Sequence, residues 1–161
     1  MDHKITDNFL PIETANQICL FLLEGNFPWY YNSTVTGSVD ENNNEYFTHL
    51  FYANNGFCSD FIQLVQPIID LINPRSLWRI KANLYPCSNE IKEHGFHIDT
   101  KWNDVKTAVY YVNDNNGYTA LANGTKIESV KNRIVELEPL VSHTSSTGTT
   151  SARLTINFNW F

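Results

Sequence analysis

From Tyr46 to the last residue the chain is a succession of short runs rich in Val, Ile, Thr, Tyr and Phe, each closed by Asn, Asp or Gly. Such runs are too short for helices, and β-branched and aromatic side chains suit the pleated surface of a sheet. The clearest strands are 46–52, 77–85, 96–99, 105–112, 133–137 and 153–161. Turn residues punctuate them at 42–44, at Asn54-Asn55-Gly56, at Asn115-Asn116-Gly117 and at Asn123-Gly124, the last two with hairpin character. Many short strands at this spacing predict a sandwich or barrel. Ahead of them, Ile12, Ala15, Ile18, Cys19, Leu22 and Leu23 recur at helical spacing, which predicts an amphipathic helix over about 12–24. A second helix is predicted from Ser59 or Asp60 to Ile72, kinked at Pro67 and stopped by Asn73-Pro74. The fold class that follows is α+β, with N-terminal helices bracing one sheet of a β-sandwich or jelly roll.

The 161 residues allow one domain of ordinary size, read as 1–161. Hydrophobic residues at 42% and aromatics at 14% suffice for a core. A net charge of −6 argues against a nucleic-acid partner, because duplex binding depends on phosphate neutralisation by Lys and Arg. The longest apolar run, Ile18 to Leu23, is far below the ~20 residues of a membrane-spanning helix, and the charged N-terminus lacks the apolar region of a secretory signal. A cytoplasmic location is therefore expected. Cys19, Cys58 and Cys87, widely spaced and odd in number, read as buried free thiols. Asn32-Ser33-Thr34 and Asn123-Gly124-Thr125 match the glycosylation pattern by accident on this reading. The polar stretches 37–45 and 144–151 read as loops.

His97-Ile98-Asp99 places an imidazole and a carboxylate two residues apart in a predicted strand, so both point to one face. About 0.25 such pairs are expected by chance in a chain of this composition. His143, after the predicted strand residues 140–142, and Arg153, opening the last strand, lower that to roughly 0.02. Two imidazoles and one carboxylate leave three adjacent octahedral positions open, which suits Fe(II) with a chelating cosubstrate and O2, whereas zinc keeps at most one.

The sequence around these residues resembles the 2-oxoglutarate- and Fe(II)-dependent oxygenases, in the prolyl-4-hydroxylase-like branch that includes small viral and phage members. Residues 79–86 are similar to the strand before the metal motif, 109–113 to the strand after it, and Asn116-Gly117-Tyr118-Thr119 to the family's Gly-rich turn, followed by His143 and 153–158. The resemblance implies a double-stranded β-helix that holds iron through His97, Asp99 and His143. Arg153 would grip the distal carboxylate of 2-oxoglutarate, Tyr111 would donate to the same carboxylate, and Tyr85 would lie near it. The planar, permanently charged guanidinium suits that task. Thr155 and Asn157 share the face of Arg153 by period two and would support the cosubstrate site. The implied cofactors are Fe(II), 2-oxoglutarate and O2, with room for ascorbate. The implied reaction is hydroxylation of a prolyl residue in a peptide, a free amino acid or another small molecule, releasing succinate and CO2.

Two departures from the family pattern bear on substrate choice. His94 stands where some relatives carry an aromatic residue, and the Gly-Gly turn reads Asn116-Gly117, followed by Leu121. His94 and His97 face opposite sides of a regular strand, so both reach the site only if Gly95 bends the chain. His3 and His49 read as structural, Trp29-Tyr30-Tyr31 as the cover of a helix–sheet seam, and Trp102 as a candidate for the substrate entrance. Two readings compete: a non-enzymatic jelly roll, glycan-binding or virion-associated, and a cupin-like metalloenzyme that does not use 2-oxoglutarate. Arg153 with Tyr111 argues against the latter, which has no need of a buried carboxylate clamp.

Overall fold

The computed structural model describes residues 2–35 and 45–161. The turn expected at 42–44 and nearly all of the loop at 37–45 lie outside them. The described chain runs β1 (His3–Thr6), α1 (Ile12–Leu23), β2 (Tyr30–Asn32), β3 (Tyr46–Ala53), β4 (Gly56–Phe57), a 3-10 turn (Asp60–Leu64) and α2 (Gln66–Ile72). It continues through β5 (Leu77–Tyr85), β6 (Lys106–Tyr111), β7 (Tyr118–Leu121), β8 (Lys126–Glu128), β9 (Arg133–Leu137), β10 (His143–Ser145) and β11 (Arg153–Trp160). All strand pairs are antiparallel. The large sheet has the order β1-β9-β6-β11-β5-β3-β2, with β4 beside β3, and β10-β7-β8 form a small one.

The alternation within β5 and β11 decides where the core ends and the site begins. Ile80 and Ala82 of β5, with Leu154, Ile156, Phe158 and Trp160 of β11, face Ala15, Ile18 and Leu22 of α1 and Ile68 and Ile69 of α2 in one buried cluster. Burying each large aliphatic or Phe side chain contributes roughly 1.5–3 kcal/mol. The opposite faces carry Arg79, Lys81, Asn83 and Tyr85 on β5 and Arg153, Thr155, Asn157 and Asn159 on β11, paired across the strands as Arg79↔Asn159, Lys81↔Asn157, Asn83↔Thr155 and Tyr85↔Arg153. Beside this polar face, Val109, Tyr111, Val135 and Leu137 pack with Leu121 and Ile127 of the small sheet in a second core. The polar faces thus meet a pocket between the sheets.

Several expectations need correction. Pro67 does not kink a continuous helix. The chain breaks at Val65, and Pro67 sits in the first turn of α2, where its missing N–H is needed least. Asn73, with φ 49°, caps that helix in the left-handed conformation that Asn tolerates. Residues 96–99 do not form a strand: only His97 pairs, through one bridge to His143, and Phe96 and Ile98 project outward. Residues 140–142 are not strand either, because Leu140 takes φ 66° after Pro139 and Val141 N–H closes a turn on Glu138. The strand starts at His143, so 144–151 is not simply a loop. Thr144, Ser146 and Thr147 are buried. Asn115-Asn116-Gly117 is no hairpin; it carries the chain from the large sheet to the small one, whereas Asn123-Gly124 does link β7 to β8. Of the thiols only Cys19 is buried, while Cys58 and Cys87 are exposed. Trp29 packs on the helix-side core, but Tyr30 and Tyr31 are exposed. His49 is buried, with Nδ1 at 2.8 Å from the Pro28 carbonyl and Nε2 at 2.7 Å from Ser59 Oγ.

Candidate metal and cosubstrate site

The bridge between His97 and His143 consists of two reciprocal backbone hydrogen bonds, 2.9 and 3.0 Å long, and it brings two remote segments side by side. The imidazole centres lie 4.8 Å apart. With Asp99, two residues on, the three side chains offer ligand atoms within 4.8 Å of one another. The convergence expected from a strand is reached by a single bridge.

The donor set fits a metal ion. His97 Nδ1 lies 3.2 Å from the Gly95 carbonyl and His143 Nδ1 lies 3.0 Å from the Val141 carbonyl. A carbonyl only accepts, so in both rings Nδ1 carries the proton and Nε2 is left to coordinate. His143 Nε2 is buried without a hydrogen-bond partner among the described residues, an arrangement that costs free energy unless a ligand engages it. His97 Nε2 lies 3.6 Å from Asp99 Oδ1, and that contact pushes His97 above its ordinary pKa. Burial draws His143 below it. Burial alone would raise Asp99, but the His97 hydrogen bond, the charges of Arg79 and His143 and the Asn159 amide outweigh it and hold the carboxyl well below the usual carboxylate range.

Two residues that the sequence reading did not single out fix Asp99. Arg79 Nη2 reaches its Oδ1 at 3.1 Å, and Asn159 Nδ2 donates to its Oδ2 at 3.1 Å. Arg79 Nε in turn donates to Asn159 Oδ1 at 3.0 Å, closing a ring. Both lie one step further along the polar faces that contain Lys81 and Asn157, and that alternation was the available signal. Asn159→Ala is expected to keep the fold and weaken Fe(II) binding roughly 10–100-fold, the usual cost of losing a partner that orients a ligand; calorimetric metal titration reads it.

Arg153 is 1% exposed. Its Nε donates to Ser129 Oγ at 2.8 Å and its Nη2 to Thr119 Oγ1 at 2.9 Å, while Nη1 is buried without a partner among the described residues. A guanidinium held rigid at two nitrogens with the third free is prepared for an incoming oxyanion. Arg153, His97, Asp99 and His143 all line one cavity of about 250 Å³, near the lower end of small-ligand pockets (about 300–1,000 Å³). Tyr85, Thr155 and Asn157 line it too. Asn83 Nδ2 ties the last two together, at 3.3 Å from Thr155 Oγ1 and 3.1 Å from Asn157 Oδ1. Tyr111 stands behind the cavity wall. Its hydroxyl donates to Thr119 Oγ1 at 2.8 Å, and its ring lies 5.6 Å from the guanidinium carbon of Arg153. Its links to the cavity run through Thr119 and Arg153.

His94 stays out of the metal cluster. It stacks on Tyr85 at 5.0 Å, Tyr46 stacks on the other side at 5.5 Å, and His94 Nδ1 lies 2.7 Å from Ser145 Oγ. Trp102 is exposed and absent from the cavity wall. Gly117 is where Arg153 needs space: a Cβ there would come within 2.7 Å of Arg153 Cδ and of the Thr147 carbonyl. Gly117→Ala should therefore displace the guanidinium at a cost of about 1–3 kcal/mol, read as a lower melting temperature together with weaker binding of 2-oxoglutarate.

No family model matches the sequence, and no curated protein matches it in sequence. Solved structures do match in fold. A prolyl hydroxylase from Trichoplax adhaerens, in complex with a hypoxia inducible factor oxygen degradation domain peptide fragment, is 18% identical with a TM-score of 0.70, covering 99% of this chain and 83% of that one. A prolyl-4-hydroxylase from Pseudomonas putida is 19% identical with a TM-score of 0.63, covering 99% and 92%. SnoN, a non-heme alpha ketoglutarate dependent epimerase from nogalamycin biosynthesis, is 12% identical with a TM-score of 0.69, covering 99% and 78%. The chain thus has the fold shared by these 2OG-Fe(II) oxygenases.

Proposed function

We propose that the protein is an Fe(II)- and 2-oxoglutarate-dependent oxygenase that hydroxylates an unactivated C–H bond and releases succinate and CO2. The observation that carries this reading is Arg153, buried with one free nitrogen in the cavity that also holds the His97, Asp99 and His143 donor atoms. On this reading the two sheets are the halves of a double-stranded β-helix, and residues 1–161 form one catalytic domain. His97, Asp99 and His143 would hold Fe(II), and Arg153 would hold the distal carboxylate of 2-oxoglutarate. Bound Fe(II) would supply the oxidative chemistry that couples cosubstrate decarboxylation to oxygen insertion.

The chain's own residues would orient the reactants and limit water. Arg79 and Asn159 keep Asp99 ionised and aimed. The two Nδ1–H groups, bonded to carbonyls, keep both imidazoles in the coordinating tautomer. Thr119 and Ser129 set the guanidinium plane, and Tyr85 closes the cavity wall beside it. A prolyl residue in a peptide is the first substrate to test, since the Trichoplax relative was solved with a peptide; a free amino acid is the second. The test follows [1-13C]2-oxoglutarate as Fe(II), O2 and ascorbate are supplied. Slow release of labelled CO2 without substrate, accelerated by a proline-containing peptide or free proline, supports the reading, and no decarboxylation under any condition contradicts it. A buried guanidinium nitrogen without a partner among the described residues, in the same cavity as the donor cluster, disfavours a cupin-like enzyme that does not use a dicarboxylate.

A further inference from the structure

The cavity contains more positive charge than the reading above uses. Among the described residues, Arg79, Lys81 and Arg153 line it against one carboxylate, Asp99. Among the described residues these three cations, with a divalent metal, against that carboxylate and a dianionic cosubstrate leave two positive charges in excess, and in a medium of low dielectric such an excess draws in an anion. Arg79 is committed to Asp99 and Asn159. Arg153 is tethered at its own end of the pocket by Ser129 and Thr119. Among the described residues Lys81 makes no hydrogen bond and no ion pair, and its Nζ lies 5.6 Å from the centre of the Tyr46 ring. It is half-buried, and burial, with the charge of Arg79 adding, draws its pKa down to about 8. An unpaired ammonium there opposes folding, whereas Met at this position would pack without that cost. Lys81 pairs across the strands with Asn157 and Tyr85 pairs with Arg153, so about 13 Å of strand separates Lys81 from the register of the guanidinium. It lies between Arg153 and the Asp99–Arg79 end.

We propose that Lys81 is a second anion anchor of the pocket, receiving a carboxylate on the metal side of the cavity. The inference rests on the Fe(II)/2-oxoglutarate reading, and two sources share the chemistry: the metal-side carboxylate of the 2-oxo acid and a carboxylate on the substrate.

Anaerobic calorimetric titration of the Fe(II)-loaded protein separates them, with wild type, Lys81→Met and Lys81→Arg as hosts. The probes are 2-oxoglutarate, pyruvate, which keeps the 2-oxo acid and lacks the distal carboxylate, and acetate added after 2-oxoglutarate. If the 2-oxo acid is the source, Lys81→Met weakens 2-oxoglutarate and pyruvate by the same factor, about tenfold, and Lys81→Arg restores most of it. If the substrate is the source, both affinities stay within twofold while acetate binds wild type and not Lys81→Met. Equal behaviour of wild type and Lys81→Met towards all three probes overturns the proposal. If wild type does not bind 2-oxoglutarate, the Fe(II)/2-oxoglutarate reading fails separately, and the acetate comparison, made without 2-oxoglutarate, still decides for or against Lys81. Lys81→Met melting at or above the wild-type temperature in the metal-free protein shows that the variant folds and that the unpaired charge opposed stability.

Discussion

Asp99→Ala is expected to lower Fe(II) affinity at least 1,000-fold, about 4 kcal/mol, because it removes the anion of the donor set while Arg79 stays beside the site. Repulsion by that guanidinium would then act on the metal unopposed. The same change should destabilise the metal-free protein, since it leaves the Arg79 guanidinium without its counter-charge, and breaking a buried pair from one side costs about 3–5 kcal/mol. Asp99→Asn keeps the volume and one of the two acceptor oxygens while removing the charge, and its NH2 must face a donor, Arg79 Nη2 or Asn159 Nδ2; it should lose stability by less than Asp99→Ala and still lose most metal affinity. His143→Ala is the complementary variant. It deletes a ligand nitrogen that has no partner among the described residues, so metal binding should disappear with a smaller loss of stability than in Asp99→Ala. Metal titration and melting curves on the three variants check both statements.

Arg153→Ala is the second large effect. A buried, charge-assisted contact to a carboxylate is worth about 3 kcal/mol when one partner is removed, so the dissociation constant for 2-oxoglutarate should rise ~100-fold while Fe(II) affinity changes little. Arg153→Lys should recover only part of this. An ammonium cannot reach Ser129, Thr119 and a ligand oxygen in the fixed fork that Nε, Nη2 and Nη1 provide. Pyruvate gives the internal control: lacking the distal carboxylate, it should bind wild type and Arg153→Ala alike.

The sequence made the donor residues legible, but not the way they meet. His97, Asp99, His143 and Arg153 stand out by residue type and order, and the structure brings them to one cavity. A strand over 96–99 was the wrong local structure because side-chain alternation cannot show whether a neighbouring strand exists; there the backbone finds a partner only at His97. β1 and β10 were illegible for a related reason. Each is short and defined by its partner, β9 for the first and β7 for the second, more than by its own four or three residues. Arg79 and Asn159 were legible in principle, being polar residues at period two on strands whose other face is apolar, but cross-strand register was needed to set them beside Asp99. Tyr111 touches both Thr119 and Arg153, contacts that no spacing within its own strand reveals.

The most direct test of the central claim is an anaerobic titration of the protein with Fe(II) and then 2-oxoglutarate, followed in the visible spectrum. The account predicts a metal-to-ligand charge-transfer band that saturates with 2-oxoglutarate, is absent in Asp99→Ala and needs ~100-fold more 2-oxoglutarate in Arg153→Ala. Iron that binds without a band, or no iron binding in the wild type, would contradict it.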